Sequence, residues 1–282
     1  MKVGFIGLGI MGKPMCRNLI QAGYDVVICS SKPQTNDEMQ EVGAIVVNSY
    51  AEIAQQSDVV FTMVPNSPEV REVIDQIKNR LVPGSAVIDM SSIAPLASQE
   101  VAEVLKEKGI QFLDAPVSGG EPKAIEGTVS MMVGGDEETF LKYKPVLETM
   151  AGSVVHVGSV GSGNSTKLAN QIVVALNIAA VSEAFVLGEK MGVDLNKLRE
   201  AIRGGLAGSA VLDAKGPMMI DHQFEPGFKI DLHLKDLGNV LETANQLDVS
   251  LPMTSYIQEV LQKLTDSGYG SEDHAAILRY FE

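Results

Sequence analysis

The chain is poor in cysteine and in basic charge, and its apolar stretches are short or interrupted. Two cysteines, Cys16 and Cys29, in 282 residues are too few for a disulfide framework. Their spacing is not that of a metal-binding motif either, so no metal site is expected, and both read as reduced thiols of a cytoplasmic protein. Lys and Arg number 22 against 36 Asp and Glu, a formal net charge of -14. Such a surface repels phosphate backbones and anionic lipid, which argues against nucleic acid and membrane as partners. An anionic ligand then has to be captured by local donors. The apolar stretch Ile172–Leu187 is broken by Asn177, Ser182 and Glu183 and so does not read as a membrane span. The apolar Lys2–Ile10 lacks the basic run and small-residue cleavage site of a secretion signal. Internal repeats and low-complexity tracts are also missing. What is there, 45% hydrophobic and 21% charged residues, is the balance of a folded chain large enough for two domains.

Residues 1–160 alternate short apolar runs with amphipathic stretches. Strands are expected at Lys2–Ile6, Asp25–Cys29, Val59–Val64, Ala86–Met90, Gln111–Asp114, Val129–Val133 and Val154–Val157. Several are continuous and Val/Ile-rich, as in strands covered on both faces. Helices are expected near Met11–Ala22, Asp37–Glu41, Pro68–Ile77, Leu96–Glu107 and Glu137–Thr149, with Gly119–Thr128 as a loop and the later strands turning antiparallel. This is the pattern of an α/β, Rossmann-like domain. From Asn164 to about Met191 the apolar spacing gives one helix, which at 1.5 Å per residue would be about 40 Å long. Helical patterns follow at Asp194–Arg203, Leu232–Leu247 and Pro252–Asp266. The expected architecture is therefore an amino-terminal Rossmann-like domain (1–160), a long joining helix and an all-α carboxy-terminal domain (161–282).

Gly7-Leu8-Gly9-Ile10-Met11-Gly12 is G-x-G-x-x-G between an expected strand and an expected helix. Glycines there allow a tight turn and let backbone amides approach a pyrophosphate at the helix amino end, which makes all six residues cofactor-binding candidates. The acidic residue that holds the ribose hydroxyls of NAD is missing from the end of the second strand, where Ser30, Ser31 and Lys32 stand. These groups tolerate a 2′-phosphate without an Arg to grip it, so NAD(P)H is expected and the choice between NADH and NADPH stays open. Val64, Pro65 and Asn66 after one strand, and Ser91 and Ser92 after the next, are candidates for the ribose and nicotinamide walls, since ligands gather at the carboxyl ends of such strands.

Ser118-Gly119-Gly120 ends a further strand and exposes consecutive amides suited to a carboxylate. In the long helix Lys167, Asn170 and Gln171 share one face. A lysine so near a helix start is disfavoured by the macrodipole, which beside two amides suggests a site. Hydride delivery to a carbonyl carbon leaves charge on oxygen, and a positioned ammonium can neutralise it and give up the proton. Lys167 is therefore the expected acid/base, with Asn170 or Gln171 orienting it or the substrate. Phe228, Lys235 and Asp236 are further candidates, Phe228 as a wall and Lys235 as a group reaching cofactor or substrate. His222 and His233 lack partners at metal or catalytic spacing and read as structural.

Phe5–Leu19, Ile88–Pro95, Asp114–Ala124, Lys167–Gln171, Ile202–Ser209 and Gly227–Asp236 together resemble the β-hydroxyacid dehydrogenase family over nearly the whole chain. The closest likeness is to its 2-hydroxy-3-oxopropionate (tartronate semialdehyde) reductase branch. The resemblance implies Lys167 as the catalytic lysine, Ser118, Gly119 and Gly120 at a substrate carboxylate, and Ser92 and Lys235 at cofactor or substrate. It also implies a small carboxylate-bearing aldehyde or hydroxy acid as partner, and a homodimer or homotetramer. Many family members carry Asn four residues after the lysine, where this chain has Gln171. Glyoxylate, succinic semialdehyde or 3-hydroxyisobutyrate would suit a sibling enzyme, and a non-catalytic dinucleotide-binding module would be expected to lose the lysine.

Overall fold

A computed structural model describes residues 1–282. The chain divides into two compact units, Met1–Lys167 and Leu168–Glu282.

The first unit runs β1 (Lys2–Ile6), α1 (Gly12–Gln21), β2 (Asp25–Ile28), α2 (Pro33–Glu41), β3 (Ile45–Val46), α3 (Tyr50–Gln56), β4 (Val59–Thr62), α4 (Ser67–Ile77), β5 (Ala86–Asp89), α5 (Pro95–Lys106), β6 (Gln111–Asp114), β7 (Val117–Ser118), α6 (Gly120–Glu126), β8 (Val129–Gly135), α7 (Glu137–Leu147) and β9 (Ala151–Gly158). Sheet order is β3-β2-β1-β4-β5-β6-β8-β7, with β9 paired to β8. Strands β1 to β6 are mutually parallel. β8 runs antiparallel to β6 and β7, while β9 runs parallel to β8.

Side-chain alternation explains why these strands are continuous apolar runs. Val3, Phe5, Val59, Phe61, Ala86 and Ile88 point into one core, and Ile6, Val27, Val60 and Val87 into another on the opposite face. Fully burying one such Phe, Ile or Val contributes about 1.5–3 kcal/mol. The strand order places a switch point between β1 and β4, where a doubly wound sheet opens its ligand crevice.

Of the elements that depart from the sequence expectation, β3, β7 and the helix Ala210–Ile220 among them, two have a local cause in their own residues. Residues expected as the Gly119–Thr128 loop contain α6, because Gly119 and Gly120 absorb positive φ (+145° and +72°) and Gly127 ends the helix at φ +69°. The unexpected α3 starts where the Ser49 hydroxyl caps the Glu52 amide.

α8 (Ser162–Lys190) begins in the first unit and continues into the second, which adds α9 (Leu195–Arg203), α10 (Ala210–Ile220), α11 (Ile230–Gln246), α12 (Pro252–Asp266), a 3₁₀ turn at His274–Ile277 and α13 (Leu278–Phe281). α8 is long and apolar enough to cross a membrane by length and composition. Here Ala175, Ile178, Ala179, Val181 and Phe185 are packed in the second unit's core with Leu212, Met219, Ile230, Leu237 and Ile257. The fold is thus a Rossmann-like α/β domain followed by a helical one.

Candidate active site

The glycine loop leaves β1 at the switch point. Gly7 has φ +99°, and a Cβ there would strike the main-chain oxygen of Met63 in the loop after β4. A Cβ on Gly12 would strike the Gly7 carbonyl. Both glycines are therefore demanded by the protein's own packing. Gly9 differs: a Cβ there meets nothing within 4 Å. Its exposed side opens outward at the amino end of α1, which is the room a pyrophosphate needs beside helix amides. Leu8 and Met11 are half-buried against the sheet core, while Ile10 is exposed. The residues present fit a dinucleotide.

At the end of β2, Asn36 of α2 closes the ribose-side loop. Its Oδ1 accepts from the Ser30 amide at 2.9 Å, and its Nδ2 donates to the Ser30 carbonyl at 2.9 Å. The Ser30 hydroxyl accepts from the Lys32 amide at 3.2 Å. Ser31 and Lys32 are left exposed, with no carboxylate among these three residues.

Parallel register sets Thr62, Asp89 and Asp114 side by side at the carboxyl ends of β4, β5 and β6, all fully buried. Asp89 Oδ1 accepts from the Thr62 hydroxyl (2.7 Å), the Ser91 hydroxyl (2.6 Å) and the Ser91 amide (3.2 Å). The Ser91 oxygen in turn accepts from the Val64 amide at 3.0 Å. One carboxylate thereby ties the Val64–Pro65–Asn66 loop to the Ser91–Ser92 loop. Burial pushes the Asp89 carboxyl up to about 6, against hydrogen bonds from Ser91 and Thr62. Its Oδ2 has no hydrogen-bond partner.

Asp114 holds the start of the lysine helix. Its oxygens accept from the Gly161 and Asn164 amides, each at 2.8 Å. Burial raises its pKa and those amide bonds oppose the rise. A carboxylate seated on the first turn of α8 satisfies orphan donors and faces the positive helix end. Gly134 and Gly163 make the approach possible, since a Cβ on either would crowd Asp114. Asn164, fully buried, accepts from the Ile93 amide and donates to the Ser98 hydroxyl, each at 3.0 Å. Lys167 follows on this anchored turn and is only 5% exposed. Asp89, Asp114 and Asn164 were invisible as site residues in the sequence, because their partners lie up to 71 residues away.

Ser118, Gly119 and Gly120 sit where β7 passes into α6, and both glycines adopt φ values that favour glycine.

In the second unit, four expected residues are joined. Asn170 Nδ2 donates to Gln171 Oε1 at 2.9 Å, Gln171 Nε2 donates to Asp236 at 2.6 Å, and Lys235 pairs with Asp236 at 2.9 Å. Asp236 is 3% exposed, with both oxygens engaged. The Phe228 ring lies edge-on to two buried imidazoles, His233 and His274.

A doubly wound sheet with a glycine loop at its switch point, continued by an anchored lysine helix, defines a nicotinamide-dinucleotide oxidoreductase fold. Residues 2–158 match the family described as the NAD binding domain of 6-phosphogluconate dehydrogenase. Residues 161–281 match that described as NAD-binding of NADP-dependent 3-hydroxyisobutyrate dehydrogenase. The chain is 43% identical to 2-hydroxy-3-oxopropionate reductase of Escherichia coli (strain K12), over 100% of this chain and 97% of that one. It is 36% identical to 2-(hydroxymethyl)glutarate dehydrogenase of Eubacterium barkeri, over 100% and 95%. The solved structure of Mycobacterium tuberculosis 3-hydroxyisobutyrate dehydrogenase with L-serine superimposes with TM-score 0.94 at 32% identity, over 100% and 99% of the two chains. The chain belongs to the β-hydroxyacid dehydrogenase family of NAD(P)-dependent oxidoreductases acting on CH–OH groups.

Proposed function

We propose that the protein reduces tartronate semialdehyde (2-hydroxy-3-oxopropanoate) reversibly to D-glycerate, with Lys167 as proton donor. The observation that carries this reading is a lysine 5% exposed on a helix turn held by Asp114 and Asn164. The 43% identity to a 2-hydroxy-3-oxopropionate reductase supports the substrate.

The nicotinamide cofactor, when bound, supplies the hydride for the aldehyde carbon. Gly7 to Gly12 hold its pyrophosphate, Ser30, Ser31 and Lys32 face its adenosine ribose, and Val64, Pro65, Asn66 and Ser92 line its ribose and nicotinamide side, with Lys235 as a further contact. The Ser118 hydroxyl and the Gly119 and Gly120 amides bind the substrate carboxylate. The Lys167 ammonium stabilises the alkoxide formed at the carbonyl oxygen and gives it a proton; in the oxidative direction neutral Lys167 takes that proton back. Asn170 and Gln171 orient the substrate, Phe228 walls the site, and Asp236 holds Lys235 and Gln171. Residues 1–160 act as the cofactor domain and 161–282 as the substrate and oligomerisation domain of a cytoplasmic homodimer or homotetramer.

The substrate is tested by comparing kcat/KM for tartronate semialdehyde, glyoxylate and succinic semialdehyde, each with NADH and NADPH. A site that pairs a substrate hydroxyl rejects analogues lacking it, so tartronate semialdehyde should lead by at least about tenfold. Equal or faster turnover of glyoxylate or succinic semialdehyde would replace it as the assigned substrate.

A further inference from the structure

Two buried histidines, His233 (1% exposed) and His274 (6%), meet with their Nδ1 atoms 3.0 Å apart. One Nδ1 must carry hydrogen and the other a lone pair. His233 Nε2 lies 3.4 Å from the main-chain oxygen of Gln171, which only accepts. That nitrogen therefore holds hydrogen, His233 Nδ1 is bare when the ring is neutral, and the shared hydrogen belongs to His274. Asp273 faces the pair, its Oδ1 3.9 Å from His274 Nε2. Its charge is already committed to Lys215 at 2.9 Å and to the amides of Gly227, Phe228 and Ala275. With both rings neutral, one hydrogen lies between the two Nδ1 atoms.

We infer that His233 and His274 are positioning residues that together set the substrate side of the second unit. This rests on the reading of the Lys167 turn as the active site. His233 and Asp236, three residues apart on one face of α11, grip the same residue: His233 holds the Gln171 carbonyl and Asp236 its side-chain amide. Both imidazoles also seat the Phe228 ring, with centroids at 5.8 and 5.3 Å, and the Phe228 carbonyl accepts from the His274 amide at 2.9 Å. Gln171 and Phe228, from two separate segments, thus rest on one imidazole pair. Gln171 spends its amide on Asp236 and Asn170, so the Asn170 carbonyl oxygen is the group this turn offers a substrate hydroxyl.

The test compares wild type, His274→Leu, His274→Asn and Lys167→Ala for kcat and KM with the best-used semialdehyde, for NADPH Kd by fluorescence, and for thermal midpoint. Losing the interring hydrogen bond removes one restraint that holds His233 toward Gln171. His274→Leu should raise KM about tenfold, the worth of one neutral hydrogen bond, with NADPH Kd within about twofold. His274→Asn puts an amide donor where Nδ1–H stood and should recover KM to within about threefold. A folded His274→Leu enzyme with wild-type KM overturns the positioning role. So does a KM that rises equally in both variants while following the thermal midpoint. Should His274→Leu fail to fold, His233→Gln, which donates to Gln171 without help, should keep KM within about threefold of wild type, and a tenfold rise would overturn the inference. Full turnover in Lys167→Ala would overturn the reading of the site, and the positioning role with it. Lost turnover there beside an unaltered His274→Leu KM would overturn the positioning role alone.

Discussion

Replacing Asp89 with Asn should stabilise the protein, and only above mildly acidic pH. Burial lifts this carboxyl from 3.8 to about 6, the neighbouring Asp114 adding to the rise. In the unfolded chain it titrates near its ordinary value, so the folded state binds the proton more tightly. The stability linked to that proton is complete below the unfolded value and lost as pH rises through about 6. At 1.36 kcal/mol for each tenfold change in proton affinity, the loss approaches about 3 kcal/mol by pH 8. Asn keeps an oxygen for Thr62 and Ser91, carries no charge, and replaces the unpartnered Oδ2 with an uncharged amide. Asp89→Asn should therefore match wild type near pH 4 and exceed it by up to about 3 kcal/mol at pH 8. Over the unfolding entropy of a unit the size of Met1–Lys167, that is a midpoint about 8 °C higher. Calorimetry of both proteins from pH 4.5 to 8 measures it. A difference that does not change with pH, or a variant less stable at pH 8, refutes the assigned cost.

The second and third glycines of the loop should separate packing from ligand. Gly9→Ala meets no protein atom, so its thermal midpoint should stay within about 1 °C while NADPH Kd rises at least about tenfold; Gly12→Ala should lower both stability and binding, as calorimetry and fluorescence titration will read. Asp114→Ala strands the buried Gly161 and Asn164 amides and should cost about 2–5 kcal/mol, seen as a lower urea midpoint. Lys32→Glu places a carboxylate where the chain has none and should raise NADPH Kd at least about fivefold while leaving NADH Kd near wild type.

Legibility followed the range of the forces. The strands could be read because burial on both faces forces continuous runs such as Val59–Thr62 and Ala86–Asp89. The glycine loop and α8 were equally plain, one by local backbone demands, the other by sustained apolar spacing. α6 was hidden because its two leading glycines and Pro122 look like loop until Gly119 and Gly120 are seen to take up the turn. α3 is short, and its signal was a single Ser-to-Glu cap. Within the candidate site, the shared face of Lys167, Asn170 and Gln171 showed in their helical spacing. The groups that hold them did not: Asp114 meets Asn164 across 50 residues, and His233 meets His274 across 41. His233 read as structural on its own element because its tautomer partner is supplied by a distant turn. Such pairings are products of tertiary packing and leave no local trace.

The central claim is that Lys167 donates the proton. Steady-state reduction of tartronate semialdehyde by wild type and Lys167→Ala, with NADPH Kd measured on both, tests it most directly. A proton-donating lysine predicts turnover lower by about 10² to 10⁴ in the variant, with cofactor Kd within a few-fold of wild type. Turnover retained within about tenfold, with the cofactor still bound, would contradict it.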